Sequence, residues 1–280
     1  MFKKLMKYDV RAILKIWWII ALSSVGLTVV GSFFMRFAIQ NLDGESLASF
    51  LAVLAMIAGI FALFAAFASI ALTAVLTHYR FYKTLYTDEG YLTFTLPVKR
   101  ETLIFSKTLN TFIWHVLHAV LLIICIFIAM LIISTEPDSS VFEFIGSAFS
   151  LIWDVFGAWT PVLALELLIL FACMGAFSIV LVELCVTIGA IVAKKQKLLA
   201  AIGIYYIVNM VITFVSEIAI MAGGTLMLHG FVLIIDQLSY TAIMAVISLV
   251  VLIFIAAVAS ATLICYFVML DKVKNKLNLA

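Results

Sequence analysis

Long apolar runs separated by short charged breaks dominate this sequence. Six runs are long enough to cross the hydrocarbon core of a bilayer, which a helix of about 20 residues spans. They cover residues 16–39, 47–79, 108–134, 161–193, 198–221 and 241–270. Two weaker stretches, 141–159 and 223–240, lie between spans, and we expect both to be external segments at the membrane surface. The pattern predicts an all-α polytopic membrane protein with six transmembrane helices.

Composition supports the same class. Of the 280 residues, 66% are hydrophobic and 11% are charged, whereas about 25% of the residues of a soluble domain are charged. This excludes a water-soluble globular protein, and we expect residues 1–280 to form one transmembrane domain. The cysteines lie inside apolar runs without the spacing of metal ligands or redox motifs, and we interpret them as small buried apolar side chains.

Basic residues mark one side of the membrane. Every Lys and Arg except Arg36 lies near a terminus, between the second and third runs, or between the fourth and fifth runs. The charged residues of the remaining breaks are all acidic. The positive-inside rule therefore predicts that both termini are cytoplasmic. The first run is full length and lacks a clear cleavage site, so we expect no signal peptide.

Residues 1–15 have an amphipathic pattern. At about 100° per residue, apolar side chains such as Phe2, Leu5 and Met6 lie opposite the five basic residues of this segment. Asp9 interrupts the apolar face and requires a polar neighbour. We predict a helix that lies in the plane of the anionic inner leaflet before the first span. The alternative is a Lys-rich start that only sets orientation.

The break at residues 80–107 is long and only partly polar. Pro97 disfavours a helical conformation at Leu96 and favours the start of a new helix. The first turns of that helix contain Lys99, Arg100 and Glu101. Apolar side chains beside charged ones are what docking onto a soluble partner requires, because the first supply buried area and the second orientation. A solvated connecting loop is the alternative.

A loose motif runs through this break, in the order Glu89, Gly90, Leu92, Leu96, Pro97, Val98, Arg100, Leu103 and Lys107. It resembles the permease subunits of ABC-2-type transporters, especially small permeases of Gram-positive anaerobes that work with a separately encoded ATPase. The resemblance implies that residues 80–107 are a cytosolic coupling element. Its contacts to the ATPase would then be Asp88, Glu89, Gly90, Leu96, Pro97, Arg100, Leu103 and Lys107.

The resemblance also implies partners and a location. They are an ATPase subunit that binds ATP and Mg²⁺, a second permease chain that is identical or a sister, and the lipids of a bacterial inner membrane. The function would be that of an exporter permease, with an amphipathic substrate such as a peptide antibiotic or a lipid-like compound. The alternatives are a stand-alone membrane resistance or immunity protein and a proton-coupled secondary carrier.

A few polar residues lie within the spans. Glu183, His118 and Asn209 are close to mid-membrane, where an ionisable group is a functional candidate. They would line a translocation path or form an interhelical hydrogen-bond clamp, and the carrier hypothesis uses Glu183 as its proton site. Three charged residues near the outer ends of spans are expected to reach the interface by snorkelling, namely Arg36, Glu166 and Glu217.

Sequence signatures of enzymes are absent. The chain contains no GxxxxGK[ST], GxGxxG, HExxH or GxSxG motif. His115 and His118 form HxxH, which lacks the glutamate and the spacing of a zinc protease. We therefore predict no catalytic residue, no metal ligand and no cofactor in this chain. The basic residues follow membrane topology, so nucleic-acid binding is not expected either.

Overall fold

The computed structural model describes residues 2–42, 46–134, 141–193, 195–234 and 239–275, and within these ranges the chain is almost entirely helical, without a strand. The α-helices in these ranges are α1 (Phe2–Asn41), α2 (Ser46–Tyr86), α3 (Asp88–Phe94), α4 (Arg100–Ile133), α5 (Val141–Phe156), α6 (Thr160–Val192), α7 (Lys197–Ile234) and α8 (Tyr240–Asn275). A 3₁₀ turn, Gly157–Trp159, connects α5 to α6.

Six helical segments of the described chain are long and apolar enough to cross a membrane. They are α1, α2, α4, the α5–α6 segment, α7 and α8. Helices suit this role because hydrocarbon offers no partner for a backbone N–H or C=O, and a helix satisfies these groups internally. The predictions of an all-α fold and a multi-pass membrane protein are confirmed.

The residues cluster into two compact units. Unit 1 comprises Met1–Arg80 and Phe105–Val155, and unit 2 comprises Phe81–Ile104 and Phe156–Ala280. In unit 1, four buried side chains from α1 and α4 form an apolar cluster, namely Ile13, Trp17, Ala21 and Trp114. The rings of Trp17 and Trp114 lie 5.0 Å apart between centroids.

In unit 2, α6 packs along both α7 and α8. The contact of α6 with α7 is close at Gly189, where an added Cβ atom would lie 2.6 Å from the Cα atom of Ala201. Only glycine allows the two backbones to approach in this way, as small residues do in membrane helix pairs.

The N-terminal segment is continuous with the first candidate span. Residues 2–15 are the first turns of α1 and not a separate helix, and their position in the membrane plane stays a prediction. The helix continues because Ile13 and Trp17 enter the same cluster and Asp9 pairs with Lys107 of α4. Residues 223–234 belong to α7, and the candidate span within this helix ends at Thr225. The external position of residues 223–240 stays a prediction.

Gly189→Ala is expected to destabilise the fold by about 1–3 kcal/mol, because the added methyl group forces α6 and α7 apart. Gly175→Ala, also on α6, is the matched control: its Cβ atom would meet nothing within 4 Å. We expect this control to be neutral or more stable by about 0.5–1 kcal/mol. Unfolding of the purified chain by SDS titration measures both. Equal stability of the two variants would contradict the close helix contact.

Candidate functional site

The predicted coupling element contains a short helix and a turn between α2 and α4, and we call residues 87–99 the α3 corner. The corner begins after Tyr86, the last residue of α2, and ends before Arg100, the first residue of α4. The outer parts of the predicted segment 80–107 are therefore the end of α2 and the start of α4. Both belong to long helices that are candidate spans.

Local chemistry explains why the chain turns here. Thr87 has extended backbone angles, φ −113° and ψ −169°, and interrupts the helix. The Gly90 N–H donates a hydrogen bond to the Thr87 carbonyl oxygen at 2.8 Å. A Cβ atom on Gly90 would overlap the Leu85 carbonyl oxygen, so the tight turn requires glycine. Asp88, in the first turn of α3, complements the positive end of the helix dipole.

Charged contacts fix the corner to its neighbours in unit 2. The Lys83 Nζ atom lies 2.9 Å from Oε1 of Glu89. The Arg100 Nη1 atom donates to the carbonyl oxygens of Val273 and Lys274, at 3.1 and 3.2 Å. The guanidinium group also lies 5.6 Å from the centroid of the Phe94 ring. The neighbouring Glu101 forms an ion pair with Lys274.

The C-terminal end of α2 is fixed to α6 and α7. The Thr187 hydroxyl donates to the Glu183 carbonyl oxygen at 2.8 Å. It has one proton, so the Tyr86 hydroxyl is the donor in the 2.6 Å bond between Tyr86 and Thr187. The Lys197 Nζ atom donates to the Tyr86 carbonyl oxygen at 3.3 Å. This carbonyl is one of the last of α2, which have no partner within the helix.

Several apolar side chains of the α3 corner are exposed. Tyr91 is 65% exposed, Leu92 68% and Leu96 42%. Pro97 and the charged Lys99 are also exposed. The corner therefore presents exposed apolar side chains with charges beside them.

The predicted coupling residues differ in accessibility. Asp88, Glu89, Leu96, Pro97 and Arg100 are exposed. Three others are buried, namely Gly90, Leu103 and Lys107. Leu103 is 2% exposed and has a packing role, because its side chain does not reach the surface.

Lys107 has a partner in unit 1. Its Nζ atom lies 3.1 Å and 3.2 Å from the two carboxylate oxygens of Asp9. Both side chains are largely buried, with 10% of Lys107 and 14% of Asp9 exposed. The polar neighbour that Asp9 requires on its apolar face is therefore Lys107. The pair fixes the start of α1 to α4.

His118 is fully buried in unit 1, between two hydroxyl groups of α2. The Ser69 hydroxyl lies 2.9 Å from Nε2 and the Thr73 hydroxyl lies 3.0 Å from Nδ1. Ser69 donates its proton to the Ala66 carbonyl oxygen, so Nε2 carries the imidazole proton and Nδ1 accepts from Thr73. Both nitrogens of the neutral imidazole ring therefore have a hydrogen-bond partner on α2, and His118 joins α4 to α2 as an interhelical clamp would.

The other two mid-membrane residues lie in unit 2. Glu183 is completely buried on α6, and its carbonyl oxygen accepts a hydrogen bond from the Thr187 hydroxyl. Asn209 is exposed on α7. A common cluster of Glu183, His118 and Asn209 stays a prediction.

Two of the charged residues near outer ends bond within the protein. Glu166 is buried and accepts a hydrogen bond from the Ser248 hydroxyl of α8, so it differs from the expected snorkelling side chain. The Arg36 Nη1 atom donates to the Ile132 carbonyl oxygen at 3.3 Å, one residue before the end of α4. Glu217 is exposed.

Sequence reasoning missed the partners of these groups. Ser69, Thr73 and Thr77 recur at every fourth position of α2, and this spacing on one helix face indicates a polar stripe. Tyr86, Thr187 and Lys274 have no comparable signal in the sequence. Among the described residues, no three or more His, Cys, Asp or Glu side chains are grouped so that they could hold a metal ion.

Comparison with known proteins adds no relative. Neither a family model, nor a curated protein, nor a solved structure matches this chain.

Lys107→Met is expected to destabilise the protein by about 3 kcal/mol, because it leaves the Asp9 carboxylate buried without its cation. The double variant Asp9→Asn/Lys107→Met should recover most of this loss. Lys99→Met, at an exposed position, is the control and should behave like the wild type. SDS titration of the purified chains measures the differences. Additive effects of the two single substitutions would contradict a direct pair.

Replacement of Glu183 distinguishes the hypothesis of an interhelical clamp from that of a translocation path. A clamp predicts that Glu183→Gln keeps stability within about 1 kcal/mol, because the amide retains hydrogen bonding. Glu183→Ala should lose about 1–3 kcal/mol, because its partners are left unsatisfied. Thermal unfolding in detergent tests both. If Glu183→Ala folds normally and transport is lost, the clamp hypothesis is wrong.

Proposed function

We propose that this chain is the membrane-spanning permease subunit of an ABC-2-type exporter, and that its α3 corner docks onto a separately encoded ATPase. The observation that carries the proposal is the exposure of Tyr91, Leu92 and Leu96 on the α3 corner, between two candidate spans. An apolar centre with charges at its rim has the character of a protein–protein interface.

The attachment of the corner to its neighbours supports the proposal. Coupling requires that a movement of the partner reach the spans without being absorbed by a flexible loop. The corner is linked to α2 by the pair of Glu89 with Lys83, and its Phe94 ring contacts Arg100 of α4, which bonds to α8. The motif residues therefore divide into docking residues at the surface and residues that support them, such as Gly90 and Leu103.

The ATPase subunit and the second permease chain of the exporter are separate polypeptides. This sequence has no P-loop, so the ATPase subunit binds ATP and Mg²⁺. A second permease chain, identical or a sister, completes the translocation path between protomers. The basic breaks and both termini face the cytoplasm of a bacterial cell, which places the α3 corner on the ATPase side. Closure of the ATPases on ATP then tilts spans and opens the path outward.

The double variant Leu92→Ala/Leu96→Ala tests the docking surface. We expect it to capture the ATPase roughly tenfold less well or worse, because truncation of central apolar side chains removes most of an interface's energy. The measurement is co-purification of the tagged chain with the P-loop protein encoded beside it. Phe64→Ala is the control: Phe64 is 72% exposed on α2, and its loss should leave capture unchanged.

Two outcomes contradict the proposal. If the wild-type chain captures no nucleotide-binding protein, the ABC-2 assignment is wrong, and a stand-alone resistance or immunity protein is favoured. If the double variant captures the ATPase as well as the wild type, the α3 corner is not the docking surface.

A proton-coupled carrier is the second candidate, and the complete burial of Glu183 favours it. Such a carrier moves substrate in ATP-free vesicles under a proton gradient, and Glu183→Gln would abolish that movement. An exporter subunit shows no such activity without its ATPase.

A further inference from the structure

Two consecutive residues of α4, Arg100 and Glu101, contact the last turn of α8. The final carbonyl groups of a helix have no partners within it. Arg100 supplies one, since its Nη1 atom donates to the carbonyl oxygens of Val273 and Lys274 at 3.1 and 3.2 Å. The positive guanidinium group also complements the negative end of the helix dipole. The neighbouring Glu101 pairs with the Lys274 side chain.

The contacts of Arg100 and Glu101 matter more for the orientation of α4 against α8 than for the stability of the fold. An exposed ion pair such as Glu101–Lys274 contributes little to folding. In the last turn of α8, however, Arg100 bonds to the backbone and Glu101 pairs with a side chain. A planar guanidinium group also holds its acceptors in a fixed geometry. The start of α4 and the end of α8 are thereby constrained in distance and in rotation.

The contacts continue from α8 into the rest of unit 2. The α8 helix packs against α6, and α6 packs against α7. The end of α2 joins the same group through the bond from Tyr86 to Thr187. Residues 81–104, which include the α3 corner, cluster with α6, α7 and α8 in one compact unit.

We infer that the last turn of α8 receives the movement of the α3 corner, and that Arg100 and Glu101 are the positioning residues that transmit it. The inference rests on the proposed function and specifies how that site acts on the membrane helices. A push on the corner is delivered into α8 through the Arg100 bonds and the Glu101–Lys274 pair, and through α8 into α6 and α7. Glu89, by contrast, pairs with Lys83 and holds α3 to α2.

The contact itself is tested on the chain without a partner. Cysteines replace Glu101 and Lys274 in a background where Cys125, Cys173, Cys185 and Cys265 are changed to Ala. We expect a short bifunctional maleimide to cross-link the pair in membranes, because side chains that meet at their tips leave their Cβ atoms too far apart for a direct disulfide. A thiol-reactive polyethylene glycol reports the cross-link as the loss of both tags. The pair Lys83→Cys/Glu89→Cys is the positive control, and each single cysteine is the negative control. Failure of 101 and 274 to cross-link where 83 and 89 do so overturns the inference.

Transmission is tested on the complex with the ATPase. Asp271 is exposed on α8, and with all four native cysteines replaced by Ala the alkylation of Asp271→Cys by N-ethylmaleimide reports on that helix. We expect a non-hydrolysable ATP analogue to change the alkylation rate. Glu101→Lys and Lys274→Glu should each reduce this response roughly tenfold, within the usual range of allosteric couplings. The exchange Glu101→Lys/Lys274→Glu should restore it.

A purely structural role predicts that the single variants lose stability or ATPase binding together with the nucleotide response. Transmission predicts that they fold, still bind the ATPase and lose only the response. If the single variants bind the ATPase and respond to nucleotide as the wild type does, or if the exchange fails to restore the response, the transmission role is wrong. Failure of the proposed function has a different signature, because the wild-type chain then captures no ATPase while the 101–274 cross-link still forms.

Discussion

Hydrocarbon has no hydrogen-bonding partner for a polar group, and this constraint shapes the whole chain. It makes helices the form of every candidate span, because a helix satisfies its backbone internally. It also makes a buried polar side chain costly unless it finds a partner inside the protein. His118 between Ser69 and Thr73, Glu166 with Ser248, and Lys107 with Asp9 have such partners. Polar contacts therefore join the helices of each unit in addition to apolar packing.

Helix ends present the same problem, since the last carbonyl groups of a helix lack partners within it. Basic side chains supply them at three ends: Arg36 at α4, Lys197 at α2 and Arg100 at α8. In unit 2, two of these contacts meet near the α3 corner. The same charges that satisfy helix ends thus attach the corner to its neighbours, and Tyr91 and Leu92 of the corner are exposed. A docking surface attached in this way would transfer movement better than a free loop, which is why we propose the coupling role for it.

The spans were predictable because they depend on local composition. Any run of about 20 apolar residues prefers lipid to water regardless of its neighbours, so the class and the six apolar helices follow from the sequence. The break at the α3 corner was predictable for a similar reason, because Gly90 and Pro97 affect the conformation of the chain next to them: Gly90 allows a close approach to Leu85, and Pro97 disfavours a helical conformation at Leu96. The helices α1 and α7 continue past residues 15 and 223, because apolar or small residues lie on both sides of these points. The in-plane position of the first turns of α1 and the external position of residues 223–240 stay predictions.

Sequence alone thus determined the membrane class, the helical runs and the place of the α3 corner. Only the tertiary structure decided which polar groups meet. Arg100 and Lys274 are 174 residues apart, and Lys107 and Asp9 are 98 apart. No local pattern specifies such pairs, because they depend on how helices pack and rotate. For the same reason the structure separates the motif into exposed residues such as Leu96 and buried ones such as Leu103 and Lys107, which the linear order of the motif does not distinguish.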